Sequence, residues 1–178
     1  MWPEPEKVFA ALGVPSGLKV VDLCCGDGLF TVPLARMSRH VIGIDIDPGM
    51  LALTRAKLTA GGATNCDLIE GDAYAIAELV RMQVHFVLMA NTFHGVPDKP
   101  RLVRAVAAVL KPGGEFAVIN WHRWPREETT VLGKPRGPKT DIRMEPPESA
   151  ATITGSDLTL ARVVELPPYH YGAIFGRI

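Results

Sequence analysis

Cysteine is scarce in this chain, with three among 178 residues. An odd number cannot pair completely, and Cys24 and Cys25 are adjacent, where a mutual disulfide would be badly strained. No C-x-x-C pair and no Cys/His spacing of a zinc site occurs, so a reducing compartment and no metal are expected. Net charge is also missing: 19 Lys and Arg stand against 19 Asp and Glu. A neutral chain has no surface field to hold phosphate backbones, which argues against a nucleic-acid partner. Long apolar runs are absent too, the longest lying around Val84 to Ala90, far short of the roughly 20 residues that span a bilayer. The first residues, Met1 to Lys7, have no basic stretch followed by an apolar one, so no signal peptide is visible. A cytoplasmic protein with no membrane partner is expected. Neither an internal repeat nor a low-complexity tract is present.

What the chain does have is a globular composition, 47% hydrophobic and 21% charged. Its length corresponds to one domain, residues 1–178, able to bury about 70% of its unfolded surface without staples. Short apolar runs recur at 18–23, 41–45, 86–90 and 116–120, with a weaker one at 65–69. Runs apolar on both faces suit parallel strands covered by helices on each side. Helix signals lie between them. Asp47-Pro48 and Asp98-Lys99-Pro100 open helices, and Lys111-Pro112-Gly113-Gly114 stops the second. At the end, 160–166 and 171–177 are strand-like but separated by only four residues, too few for a parallel crossover, so they pair as an antiparallel hairpin. The expected fold is α/β, a doubly wound, mostly parallel, Rossmann-like sheet of seven strands ending in that hairpin. Residues 1–17 leave room for one short helix, from Glu4 to Leu12.

Three strand ends carry polar signals. The first runs into Asp22-Leu23-Cys24-Cys25-Gly26-Asp27-Gly28, a turn whose glycines allow close backbone approach to a ligand, followed by a helix N-terminus. The second ends in Asp45, placed to take two ribose hydroxyls. Its alternative use as a helix cap is already filled by Asp47. After the third, Gly71-Asp72-Ala73 presents a carboxylate and an N–H to an adenine edge, or simply another helix cap. A nicotinamide fingerprint would need glycine where Thr31 stands.

Together with Gly43-Ile44-Asp45-Ile46-Asp47 and Leu110-Lys111-Pro112-Gly113-Gly114, these segments resemble the class I S-adenosylmethionine-dependent methyltransferases, and within them the type 11 group that includes the ubiquinone and menaquinone C-methyltransferases. The resemblance spans about Leu18 to Trp121, and the terminal hairpin matches as well. It implies S-adenosyl-L-methionine as cofactor. Asp22 and the Cys24-to-Gly28 turn, with Gly26 and Gly28, would hold its methionyl part. Asp45 would take the ribose, Ile46 would pack on adenine, Asp72 and the Ala73 N–H would read its edge, and Asn91 would sit near the sulfonium. Cys24 stands where the commonest form of the motif has glycine.

A sulfonium methyl is already activated, so the implied enzyme must chiefly align its acceptor and exclude water. A base helps if the acceptor is a phenol, enol or amine. His94 and His122, after the fourth and fifth strands, are the candidate catalytic residues. Trp121 and Trp124 could wall a planar acceptor or cover the sheet edge. Residues 122–147, with six basic residues against four acidic, are the expected acceptor-side loop. A small-molecule acceptor is expected, with a macromolecular acceptor or a non-catalytic cofactor module as alternatives. With little chain available to roof the pocket, a homodimer or a large substrate is expected to complete the site.

Overall fold

The computed structural model describes residues 4–155 and 157–178. Helix α1 (Pro5–Leu12) has proline in its first turn and closes on Gly13 in the left-handed region, at φ 70°. Strands β1 (Lys19–Leu23), β2 (His40–Asp45), β3 (Cys66–Glu70) and β4 (Val84–Ala90) alternate with α2 (Thr31–Met37), α3 (Pro48–Ala60) and the short α4 (Ile76–Leu79). Then come α5 (Lys99–Val109), β5 (Leu110–Trp121), a two-residue ribbon of β6 (Thr130–Val131) and β7 (Lys134–Pro135), α6 (Pro146–Ile153), β8 (Leu158–Leu166) and β9 (His170–Arg177).

The main sheet has seven strands in the order β3-β2-β1-β4-β5-β9-β8, as expected, and β9 is antiparallel to both neighbours. The central strands are apolar on both faces because both are covered. Val20, Val41, Phe86, Leu88 and Ile119 pack with α1 and α2 on one side. Val21, Ile42, Val87, Met89 and Val118 pack with α5 on the other. Each such side chain taken fully out of water stabilises the fold by about 1.5–3 kcal/mol. β1 and β4 are parallel neighbours from which the strand order runs outward in opposite directions, and that switch point is where open α/β sheets bind ligands.

Asp47 caps α3, accepting from the N–H groups of Gly49 (2.8 Å) and Met50 (3.4 Å), and Asp98 caps α5 through Arg101 N–H (3.0 Å). The Pro112-Gly113-Gly114 segment does end α5, but it belongs to β5. Val84 pairs with Leu110 and Phe86 with Glu115, so β5 bulges where proline lacks a donor and Gly113 turns left-handed at φ 73°. The 122–147 segment, expected as a loop, contains the β6–β7 ribbon and the first residues of α6. Among the described residues no helix is long and apolar enough to cross a membrane.

Candidate functional site

The sequence between β1 and α2 folds as a turn in which Cys24, Gly26 and Gly28 all have positive φ, at 61°, 55° and 82°. Cys24 therefore occupies a glycine-like conformation in addition to its glycine-like place in the motif. The turn is tied to β2 and α3. Gly26 N–H donates to Asp45 Oδ2 (2.8 Å), Asp45 Oδ1 accepts from Asp47 N–H (3.0 Å), and Thr54 Oγ1 donates to Gly26 O (2.8 Å). Asp45 is thus held at the rim by two backbone donors. Space beside Gly26 is open, since a Cβ built there meets no atom within 4 Å.

Asp22 lies beneath the turn, 2% exposed, and accepts a 2.6 Å hydrogen bond from Thr31 Oγ1 at the start of α2. Burial raises its pKa to about 7; the Thr31 bond opposes that and nearby Asp45 adds to it. Thr31 entered the sequence reading only as a missing glycine, and its spacing from Asp22, opening the helix after the turn, is the signal that would have found it. Burial, reinforced by Asp45, Asp22 and Asp72, pushes the Cys24 thiol up to about 12. It stays protonated and is no nucleophile.

A cavity of about 320 Å³ joins these elements, lined by Cys24, Asp72, Ala73, Met89, Asn91 and His94 among others. Larger clefts of 440 and 470 Å³ lie elsewhere, one beside α1 and the terminal hairpin and one at the opposite end of the strands, and neither contains a motif residue from β1, β2 or β3. Asp72 caps the single 3-10 turn that follows it, its Oδ1 accepting from Tyr74 N–H (2.9 Å). Asn91 is in the left-handed region at φ 60°, and its Oδ1 is buried without a hydrogen-bond partner among the described residues. Ile46 is 68% exposed beside Asp45. His94 lines the cavity from the turn after β4. Burial lowers its pKa, and Lys99 and Arg143 lower it further, while contact with the Asn120 amide works the other way.

His122 is not brought to the cavity. Its Nδ1 meets Glu145 Oε2 and its Nε2 meets Glu165 Oε2, both at 3.0 Å, and Trp124 stacks on its ring at 5.7 Å. With both ring nitrogens held by carboxylates, it clamps the 122–147 segment to β8, and the expectation that it acts as a base does not fit this setting. Trp121 likewise packs inward, stacked on Tyr169 at 6.0 Å and covered by the Arg143 guanidinium at 5.2 Å. Arg143 is 1% exposed and donates to the carbonyls of His122, Trp124, Arg136 and Pro138 and to Thr129 Oγ1. One of the six cations of the expected acceptor-side loop is thus the hub of that loop. Arg123 and Arg126 also bond to carbonyls within it.

The cavity's surroundings suit a cationic nucleoside. Asp72 lines the cavity, Asp45 holds the turn beside it and Asp22 lies beneath that turn, and the lining contains neither Lys nor Arg. No group of three or more His, Cys, Asp or Glu arranged to hold a metal occurs among the described residues. The sheet order, the glycine turn after β1 and the acid at the end of β2 define a class I S-adenosylmethionine-dependent methyltransferase domain. The chain belongs to the methyltransferase domain family, whose model matches residues 20–114. It is 31% identical over 116 residues to a demethylmenaquinone methyltransferase of Lactococcus lactis, covering 64% of this chain and 46% of that protein. A demethylmenaquinone methyltransferase of Listeria monocytogenes is 32% identical over 118 residues, 65% of this chain and 49% of the relative. The chain spans about half the length of these curated relatives. Among solved structures, a SAM-dependent methyltransferase from Aquifex aeolicus superposes with a TM-score of 0.83 at 23% identity, covering 98% of this chain and 90% of that one. Magnesium protoporphyrin IX methyltransferase from Synechocystis, solved with bound SAM, gives 0.70 at 16% identity, over 98% and 78% of the two chains. The cofactor of this class is S-adenosyl-L-methionine, and the acid-bordered cavity fits it.

Proposed function

We propose that the protein transfers a methyl group from S-adenosylmethionine to a small-molecule acceptor. The observation that carries this reading is the cavity at the β1–β4 switch point, lined by Asp72 and Cys24 of the β1 turn and free of Lys and Arg. Asp45 takes the ribose hydroxyls, Ile46 packs on the adenine, and Asp72 with the Ala73 N–H reads its edge. Asp22 and the 24–28 turn receive the methionyl end, and Asn91 lies beside the sulfonium. When bound, the cofactor supplies a methyl group already activated by positive sulfur. The chain supplies orientation, which lowers such barriers by up to about 7–11 kcal/mol, and exclusion of water. His94, neutral because of its burial, accepts the proton of a protic acceptor at a ring nitrogen. The relatives' activity on demethylmenaquinone supports a small, planar acceptor.

Calorimetry with S-adenosylmethionine tests the cofactor half. Asp45→Ala removes a charged hydrogen-bond partner worth about 1.5–3 kcal/mol, so affinity should fall by roughly 10- to 150-fold. Unchanged binding in that variant, or none in the parent, removes the reading. A labelled-methyl screen over small molecules and macromolecules then identifies the acceptor, and labelling of protein or RNA alone would overturn a small-molecule one.

A further inference from the structure

Asn120 is the next-to-last residue of β5, directly opposite Tyr171 of β9 in the antiparallel register, and it is 1% exposed. Tyr171 is fully buried, and its hydroxyl sits among three partners: Met144 O at 2.8 Å, Ser149 Oγ at 2.8 Å and Asn120 Nδ2 at a long 3.5 Å. These contacts assign every proton. A carbonyl only accepts, so the single tyrosine proton goes to Met144 O. Ser149 must then donate to Tyr171 Oη, and the group that Asn120 turns towards Tyr171 must be its NH₂. The amide oxygen consequently points the other way, and this Oδ1 is buried with no hydrogen-bond partner among the described residues. A buried, unsatisfied carbonyl costs about 1–3 kcal/mol and calls for an explanation. The turn Phe93–Gly95 that carries His94 packs against β5, the His94 ring lines the cavity from the adjoining strand end, and the Asn120 amide acts on that imidazole as a hydrogen-bonding neighbour. Asn91 N–H donates to Ile119 O (2.8 Å), which holds these two strand ends side by side.

We propose that Asn120 is a positioning residue: its amide oxygen, oriented by the buried Met144–Tyr171–Ser149 cluster, receives an N–H of His94, so that the other imidazole nitrogen faces the cavity with its lone pair. Without this contact the imidazole could present either tautomer to an acceptor. With it, the nitrogen that meets the acceptor is the basic one. Other charged or titratable groups around His94 are Lys99 of α5, whose Nζ donates to His94 O, Arg143 of the loop, and Cys24, Asp72 and Tyr74 across the cavity. This inference rests on His94 being the base.

The test measures the His94 imidazole titration by NMR in the protein with and without S-adenosylmethionine, with His94→Gln assigning the signal. Asn120→Asp replaces the amide oxygen with a carboxylate and should move the titration upward by about one unit or more. Asn120→Leu should move it downward and leave the ring with mixed tautomers in its ¹⁵N shifts. Tyr171→Phe keeps Asn120 but frees its amide to rotate, and should reproduce part of the Leu effect. In the pH profile of kcat, the acid limb should follow the NMR values in each variant. Superimposable titrations in the parent and both Asn120 variants overturn the role of Asn120. If the titrations move as stated while kcat ignores His94→Gln, the positioning survives and the assignment of His94 as base fails. Unchanged cofactor affinity across the set shows that the variants are folded.

Discussion

Gly28 shows how tightly single atoms are set in the cofactor turn. At φ 82° it lies where side chains rarely go, and a Cβ there would approach Thr54 Cγ2 to 2.8 Å and Oγ1 to 2.9 Å. Thr54 cannot yield freely, because its hydroxyl holds Gly26 O. Gly28→Ala should therefore destabilise by about 1–3 kcal/mol and weaken S-adenosylmethionine binding. Adding Thr54→Ala removes the two closest contacts, leaving its Cβ at 3.2 Å and the backbone strain, so the double variant should lose less than the two single losses combined. Additive losses in denaturant melts would mean that the contact does not matter. The cap role of Asp47 and the positions of Gly28 and Asp45 at strand ends could be read in the sequence because each acts on backbone within a few residues of a strand end. Cys24 was legible only as a departure, and its positive φ explains why the place normally takes glycine. Asn120 was not legible as functional: it ends an apolar strand, and its role depends on Tyr171, 51 positions later. His122 misled for the same reason, since Glu145 and Glu165 reach it from distant segments.

At the scale of elements, the parallel strands and capped helices are local patterns, and they stand where the sequence placed them. The 122–147 segment is different because its order comes from one buried residue. Arg143 carries a charge into the interior and meets five neutral acceptors with no carboxylate among them. Its fork of five N–H groups matches that ring of oxygens, which a lysine could not. Each buried acceptor abandoned costs about 1–3 kcal/mol. Arg143→Ala should unfold the segment locally, opening it to trypsin at Arg126, Arg136 and Lys139, while the cofactor half of the sheet still binds S-adenosylmethionine. Arg143→Lys should not rescue it. Limited proteolysis followed by mass spectrometry decides, and a segment as resistant as the parent's would show that the ribbon and α6 hold it without Arg143. Nothing in the spacing of the basic residues singled out Arg143, because a solvated cation and a buried hub look alike in a sequence.

The whole molecule combines two buried titrations of opposite sign. Asp22, at the cofactor end of β1, is raised to about 7 chiefly by burial. Between its ordinary pKa of 3.8 and 7 the folded chain keeps a proton that the unfolded chain has released, so this group makes stability fall as pH rises across that window. His170, at the start of β9, is lowered from 6.5 to about 3, first by burial and then by the Arg143 and His122 charges. Here the unfolded chain holds the extra proton, so stability rises with pH from about 3 to 6.5. At 1.36 kcal/mol per unit, each contributes on the order of 4–5 kcal/mol, and between about pH 4 and 6.5 the two slopes oppose one another. Removing either should expose the other. Relative to the parent, Asp22→Asn should gain stability progressively from pH 4 to 7 and so melt more steeply on acidification. His170→Gln should lose its disadvantage as pH falls below 6.5, leaving a profile that declines towards neutrality. Thermal melts of the three proteins across pH 4–7.5 measure both slopes. Parallel curves would show that Asp22 and His170 ionise alike in the folded and unfolded chains.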